Sequence, residues 1–284
     1  MSETTKKKSA LAMRVSTGLI LLTLLVVVLW LGGWYFAAVA FVCTGIAIYE
    51  ELNALKNGGH NPVCWTSYTA LILALPALKF FESSLAIMPI LTVLGFGVVL
   101  QVMRREKPLL TDIMVSVLPM LTLVLPAMCL IGMAITDTMP HLRTMLLVTV
   151  FAIAVGGDTF AYFIGSALRG PKLCPNISPN KTISGSIGGL VGSVVCSIAV
   201  ARLFALGGAQ PYPPIWGDII VGLLGGVAGQ VGDLFASMVK RHCNVKDFGH
   251  IFPGHGGMLD RLDSIFFTCI IVYSYQVVVH TLLG

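Results

Sequence analysis

The chain has 284 residues, of which 56% are hydrophobic and 11% charged, with a mean hydropathy of +0.88. Soluble domains carry about 25% charged residues, so this chain lacks the polar groups to cover a water-exposed surface. A soluble enzyme, a nucleic-acid binder and a disordered regulator are excluded, which leaves an integral membrane protein. The net charge of +5 is no sign of nucleic acid, because in a membrane protein the placement of positive charge outweighs its total.

In chain order, Lys6, Lys7 and Lys8 precede an apolar run from Val15 to Leu31. The run is too long for the core of a signal peptide and no small-residue cleavage site follows it, so it reads as a retained first span. At about 20 apolar residues per crossing, the pattern predicts about nine transmembrane helices, over 15–31, 34–52, 66–80, 84–102, 110–132, 144–166, 183–207, 217–239 and 262–282. The third is short and interrupted by Pro76, and Gly32-Gly33 forces a tight hairpin between the first two. The expected fold is an all-α, polytopic helix bundle. Residues 1–150 supply the first five spans, and 151–284 form a second transmembrane region, the one in which a functional site is sought.

Nine crossings from a cytoplasmic N-terminus place 15 of the 18 Lys and Arg residues on the cytoplasmic side, leaving Lys79, Arg143 and Arg202 on or near the other. The positive-inside rule predicts this asymmetry, and adding or losing one span would scramble it. The expected topology is therefore a multi-pass membrane protein with a cytoplasmic N-terminus, and the expected location is the inner cell membrane. Seven cysteines without a CxxC pair argue against a disulfide framework and a zinc ribbon, and read as buried thiols.

Chemistry is sought where carboxylates are costly. Glu50, Glu51, Glu82, Glu106 and Asp137 sit near span ends or in loops and read as solvated, while Asp112 and Asp218 suit the positive ends of helices. Asp158 and Asp233 lie inside spans, and Asp247, Asp260 and Asp263 belong to the stretch joining the last two. Asp233, Ser237 and Lys240 share one helical face, and Asp260 and Asp263 another. Between these faces Pro253, Gly254, Gly256 and Gly257 form a loop that bends sharply and lets a ligand approach closely. Carboxylates that hold Mg2+, beside Lys and Arg that neutralise phosphate oxygens, suit a polyphosphate.

A second polar stretch places Asp158 and Tyr162 four apart, and Ser178-Pro179-Asn180-Lys181-Thr182 at the start of the next helix. It reads equally as an anion site or as ordinary capping and small-residue packing. Gly222, Gly225, Gly226 and Gly229 read as close helix contact. The spacing of His242, Cys243, His250 and His255 matches no zinc pattern.

The run from Ser237 to Asp263 resembles the signature of phosphatidate cytidylyltransferases, also called CDP-diacylglycerol synthases: Ser-x-apolar-Lys-Arg, then Lys-Asp, then His-Gly-Gly, then Asp-Arg-x-Asp. Every fixed position is matched, and the resemblance extends to Gly232-Asp233, Asp158-Thr159 with Ala161-Tyr162, and Ser178 to Thr182. One departure is Ser184, where similar members carry Glu before the Gly185 position. The resemblance implies transfer of the cytidylyl group of CTP to phosphatidate, giving CDP-diacylglycerol and pyrophosphate. It also implies Mg2+ at Asp233 and Asp260, with K+ as a second metal.

On the same resemblance Ser237, Lys240, Asp263 and Asp158 complete the catalytic set. Arg241, Lys246, Asp247, His255, Gly256, Gly257, Arg261 and Lys181 bind substrate. The partners implied are CTP, phosphatidate and membrane lipids, with no nucleic acid; a homodimer is an expectation that no residue carries. The alternatives are a CTP-dependent kinase of a lipid alcohol, against which the intact His-Gly-Gly to Asp-Arg-x-Asp run argues, and an ion-coupled transporter. The transporter predicts inverted repeats and charges spread through the bundle, whereas this sequence has a cluster at one face.

Overall fold

A computed structural model describes residues 3–81, 87–135, 140–208 and 214–283, with the backbone alone for 3–12, 14, 81, 140 and 280–283. Glu82 and Asp137 lie outside the described residues. Those described form α1 (Glu3–Leu31), α2 (Gly33–Asn57), α3 (Trp65–Phe81), α4 (Ile87–Met103), α5 (Leu110–Pro119) and α6 (Leu125–Ile135). After them come α7 (Pro140–Leu168), the strands β1 (Lys172–Cys174) and β2 (Ser178–Thr182), α8 (Ile183–Leu206), α9 (Ile215–His242) and α10 (Leu259–Leu283). A π-helical segment, Met120–Val124, joins α5 to α6 into one crossing, Leu110–Ile135. Among the described residues this makes nine helical passes, six of them long and apolar enough to cross a membrane.

Proline accounts for the irregular pass. Pro126 has no N–H for the carbonyl of Thr122, four residues back, and the ladder widens just before it. In α3 the helix runs through Pro76 without a break. The link between the first two spans is as tight as expected: Gly32 and Gly33 both hold left-handed φ values, 55° and 51°, which a residue with a Cβ adopts only under strain.

The loops sort to two ends. At one end Gly58, after α2, lies against Cys243, after α9, and the Arg105 guanidinium between α4 and α5 donates to Asp112 and to the carbonyl of Asn61 (both 2.7 Å). At the other end Arg143 lies beside Gly32, and Lys79 stands over Trp34. This is the alternation that nine crossings require.

The core runs through α2, α6, α7 and α10, with Ile48, Leu55, Met128, Ile131, Leu147, Ile153 and Phe266 fully buried. Outward-facing Ile20, Phe96, Leu121, Phe163 and Leu203 form the kind of apolar perimeter that lipid covers. The tightest packing joins α7, α8, α9 and α10. A Cβ at Gly222 of α9 would come within 2.7 Å of the Val194 Cα on α8, so the packing reading of that glycine stripe holds.

Two expectations are corrected. Glu50 and Glu51 are not solvated: both are buried, at 3% and 2% exposure, because α2 turns that face toward α6 and α10. Residues 178–182 do not start a helix; they form β2, paired antiparallel with β1, and only Thr182 caps α8. Among the described residues the bundle therefore carries one two-stranded hairpin beside its helices.

Candidate active site

α9 ends where Asn244, at a left-handed φ of 54°, lets Val245 N–H return to the Lys240 carbonyl (2.9 Å). Asn tolerates this backbone better than most residues. The turn leaves Lys240 on the last helical face, its side chain only 12% exposed, with its Nζ 2.7 Å from Asp260 Oδ1 and over the Phe248 ring. Beyond it the loop folds on positive-φ Gly254 and Gly256, and a bridge pairs Phe252 with Gly256.

Asp260, in the first turn of α10, organises this loop. Its Oδ2 accepts the N–H of Phe248 (3.0 Å) and Gly257 (2.9 Å), while Oδ1 accepts from Lys240. Asp260 and Asp263 begin the same helix but have separate surroundings, since Asp263 Oδ1 accepts the N–H of Ser264 (2.7 Å). Asp263 stands within electrostatic range of Asp233, Lys240 and Asp158. On α7, Asp158 Oδ2 takes a hydroxyl bond from Ser264 (3.4 Å), with Asp233, Lys181 and Arg261 around it. Lys181, from the end of β2, forms an ion pair with Asp233. Three helices, α7, α9 and α10, and the hairpin thus bring Asp158, Lys181, Asp233, Lys240, Asp260 and Asp263 to one end of the bundle.

The other expected residues surround this group. Ser237 lies half-buried one turn beyond Asp233; Arg241, Lys246 and Arg261 are exposed cations at the mouth, Arg241 reaching toward the Ile177 carbonyl of the hairpin (3.5 Å). Asp247 is half-buried beside Phe248. Gly256 and Gly257 abut the site carboxylates, with a Cβ at Gly256 coming 3.0 Å from Asp260 Oδ2. The His255 ring lies against Gly18 of α1, and its Nδ1 is buried without a partner among the described residues. His242 is held apart from the loop histidines by an Nε2–Nε2 contact of 2.8 Å to His60. Tyr162 points outward, at 71% exposure, away from Asp158.

The Ser184 position now has a local role. Its hydroxyl donates to the Arg169 carbonyl and lies 3.2 Å from Thr182 Oγ1, which itself caps Gly185 N–H (3.1 Å). Arg169 and Gly170 sit at positive φ, so the serine ties this turn to the start of α8.

Residue-by-residue reading of the sequence missed Glu50 and Ser264. Glu50 Oε1 accepts the Met258 N–H (3.0 Å) and Oε2 the Leu259 N–H (2.8 Å), which are the first free donors of α10. Its partners lie more than 200 residues away, and no local pattern signals them; a carboxylate at the end of an apolar span was the one available cue. Two small cavities of ≈ 10 Å³ flank the cluster, one reaching from Glu51 to Asp263 and the other lined by Asp158, Gln230, Ser264 and Thr268.

All the acidic donors are hard oxygens, and they fit a hard cation that also takes oxygens from substrate phosphates. Among the described residues no three His, Cys, Asp or Glu side chains converge to hold a metal alone. Asp260 Oδ2 is filled by two N–H donors, whereas Oδ1, with one donor, keeps an acceptor position.

Fold and site define a multi-pass helical membrane protein whose polar centre, at one end of the bundle, pairs carboxylates with lysines as phosphate chemistry requires. The chain belongs to the cytidylyltransferase family, whose model matches residues 12–279. Among curated relatives, the phosphatidate cytidylyltransferase of Bacillus subtilis (strain 168) is 38% identical over 116 residues, 41% of each chain. That of Brucella abortus (strain 2308) is 35% identical over 129 residues, 45% of this chain and 46% of the relative. The protein of the same name in Rickettsia conorii (strain ATCC VR-613 / Malish 7) is 32% identical over 155 residues, 54% of this chain and 65% of the relative. The matched stretches thus span between 41% and 65% of these relatives' length.

Proposed function

We propose that this chain transfers the cytidylyl group of CTP to phosphatidate, forming CDP-diacylglycerol and pyrophosphate for phospholipid synthesis at the cytoplasmic face of the inner membrane. The observation that carries the reading is the convergence of Asp158, Lys181, Asp233, Lys240, Asp260 and Asp263 at the end of the bundle that also gathers the loop cations. CTP is cytosolic and phosphatidate is anchored in lipid, so a site at a span end meets both.

The reaction needs positioning and charge stabilisation rather than a protein nucleophile. An oxygen of the phosphatidate phosphate bonds to the α-phosphorus of CTP, and the bond from that phosphorus to the β-phosphate oxygen breaks. Pyrophosphate leaves with its electrons, and no proton need be taken by the enzyme. Lys240, Arg241 and Lys246 neutralise the substrate phosphates, with Arg261 at the mouth and Lys181 beside Asp233. Ser237, Asp158 and Asp263 complete the polar wall; Asp247, His255, Gly256 and Gly257 shape the loop where substrate approaches. Mg2+, with K+ as the second cation, would be held by Asp233 and the open acceptor position of Asp260, and would supply charge neutralisation to the substrate phosphates.

Supplying phosphatidate, Mg2+ and CTP labelled at either the α- or the γ-phosphorus tests the reading. Label in the lipid from the α-position alone supports it. Lipid label from the γ-position alone points to a lipid-alcohol kinase, and would overturn it.

A further inference from the structure

Glu50 lies outside the signature, on a helix whose remaining contacts are mostly apolar packing. Its carboxylate nevertheless meets the catalytic loop from two sides. A Cβ added at Gly249 would collide with it, and one at Gly257 would come 2.5 Å from Oε2, so the two backbone segments close on Glu50 with no room for a side chain of their own. Three consecutive N–H groups at the start of α10 are shared between two acids: Gly257 donates to Asp260, and Met258 and Leu259 donate to Glu50. A helix normally satisfies these donors with a neighbouring Ser, Thr, Asp or Asn. Here the cap comes from α2, across the bundle.

We propose that Glu50 is a positioning residue of the transfer reaction: it clamps the start of α10 from α2 and so fixes Asp260, and through it Lys240, in register with the rest of the site. The role deepens the proposed cytidylyl transfer and rests on it. Both Glu50 oxygens accept backbone N–H groups, so an isosteric amide cannot replace the carboxylate. Whichever way it is turned, Glu50→Gln sets an NH2 against Met258 or Leu259 N–H.

Hydrogen exchange of the detergent-solubilised full chain, with turnover measured on the same preparation, tests this. In Glu50→Gln, protection of the 257–259 amides is expected to fall by roughly 100-fold, the weight of charge-assisted bonds to a buried carboxylate. Exchange in the middle of α2 and α10 is expected to be unchanged. Turnover should drop at least about tenfold, with a raised Mg2+ requirement and KM for phosphatidate little altered, as when transition-state contacts are lost but binding is kept. Gly249→Ala disturbs the same carboxylate from the other side, so its effect on turnover combined with Glu50→Gln should be smaller than the product of the two.

If Glu50→Gln fails to accumulate in membranes, Glu50→Asp, which keeps the charge but shortens the reach, and Gly249→Ala carry the same measurements. Unchanged protection at 257–259 overturns the clamp. Lost protection with full turnover and an ordinary Mg2+ requirement overturns the positioning role. A native chain that transfers no cytidylyl group overturns the function proposed above instead, and the exchange pattern still decides the clamp.

Discussion

Asp260→Asn is the sharpest single perturbation of the site. The native carboxylate, buried to 4% exposure, accepts from Phe248 N–H, Gly257 N–H and Lys240 Nζ. The Asn oxygen can keep the two backbone donors, but its NH2 then faces the Lys240 ammonium, itself 12% exposed. Breaking a buried ion pair by removing one partner costs about 3–5 kcal/mol. At 1.36 kcal/mol per tenfold in rate, that corresponds to a loss of roughly 10²–10⁴ in any step needing both groups in place. The spans themselves are untouched, so the variant should remain in the membrane fraction and run as a folded species in size-exclusion chromatography. Radiometric cytidylyl transfer reads the rate. Near-native turnover by this well-folded variant would refute the reasoning, because it would mean that neither the Lys240 pair nor the loop that Asp260 gathers takes part.

Further predictions separate packing from chemistry. Lys181→Met removes an ion pair whose side chains are about one quarter exposed; such a pair contributes about 1 kcal/mol or less to stability, so thermal unfolding should barely move while transfer falls at least about tenfold as phosphate loses a cation. Gly222→Ala drives a Cβ to 2.7 Å from Val194 Cα and should destabilise the bundle by about 1–3 kcal/mol, seen as a lower unfolding temperature in detergent. Burial pushes the Cys243 thiol above its ordinary range, with the Glu51 carboxylate adding to the shift. A raised value keeps the thiol protonated and unreactive around neutral pH, so maleimide labelling of Cys243 should be slow in the folded protein and fast after denaturation.

Much of the site was legible because helical spacing is a local rule. Asp233, Ser237 and Lys240 follow one face of α9, and the signature loop needed only its glycines to be read as a sharp turn. The nine passes were legible because the cations alternate with the spans, and the end-to-end contacts of Gly58 with Cys243 and of Arg143 with Gly32 bear the alternation out. The missed features are non-local. An apolar span has no polar stripe to reveal which way a lone acid points, so Glu50 and Glu51 read as solvated although α2 buries both. The hairpin at 172–182 is three residues paired with five, too short for an alternating pattern to register. Asp260 and Asp263 were correctly placed at one helix start, but periodicity could not tell that the first turns back to the loop while the second faces Asp233 and Asp158.

The most direct test of cytidylyl transfer is the product balance. The purified protein in lipid nanodiscs, given phosphatidate, CTP and Mg2+, should release pyrophosphate in a one-to-one ratio with a lipid that carries cytidine, as read by mass spectrometry of the extracted lipid. Release of CDP with a newly phosphorylated lipid, or no lipid product from a well-folded preparation, would contradict the account.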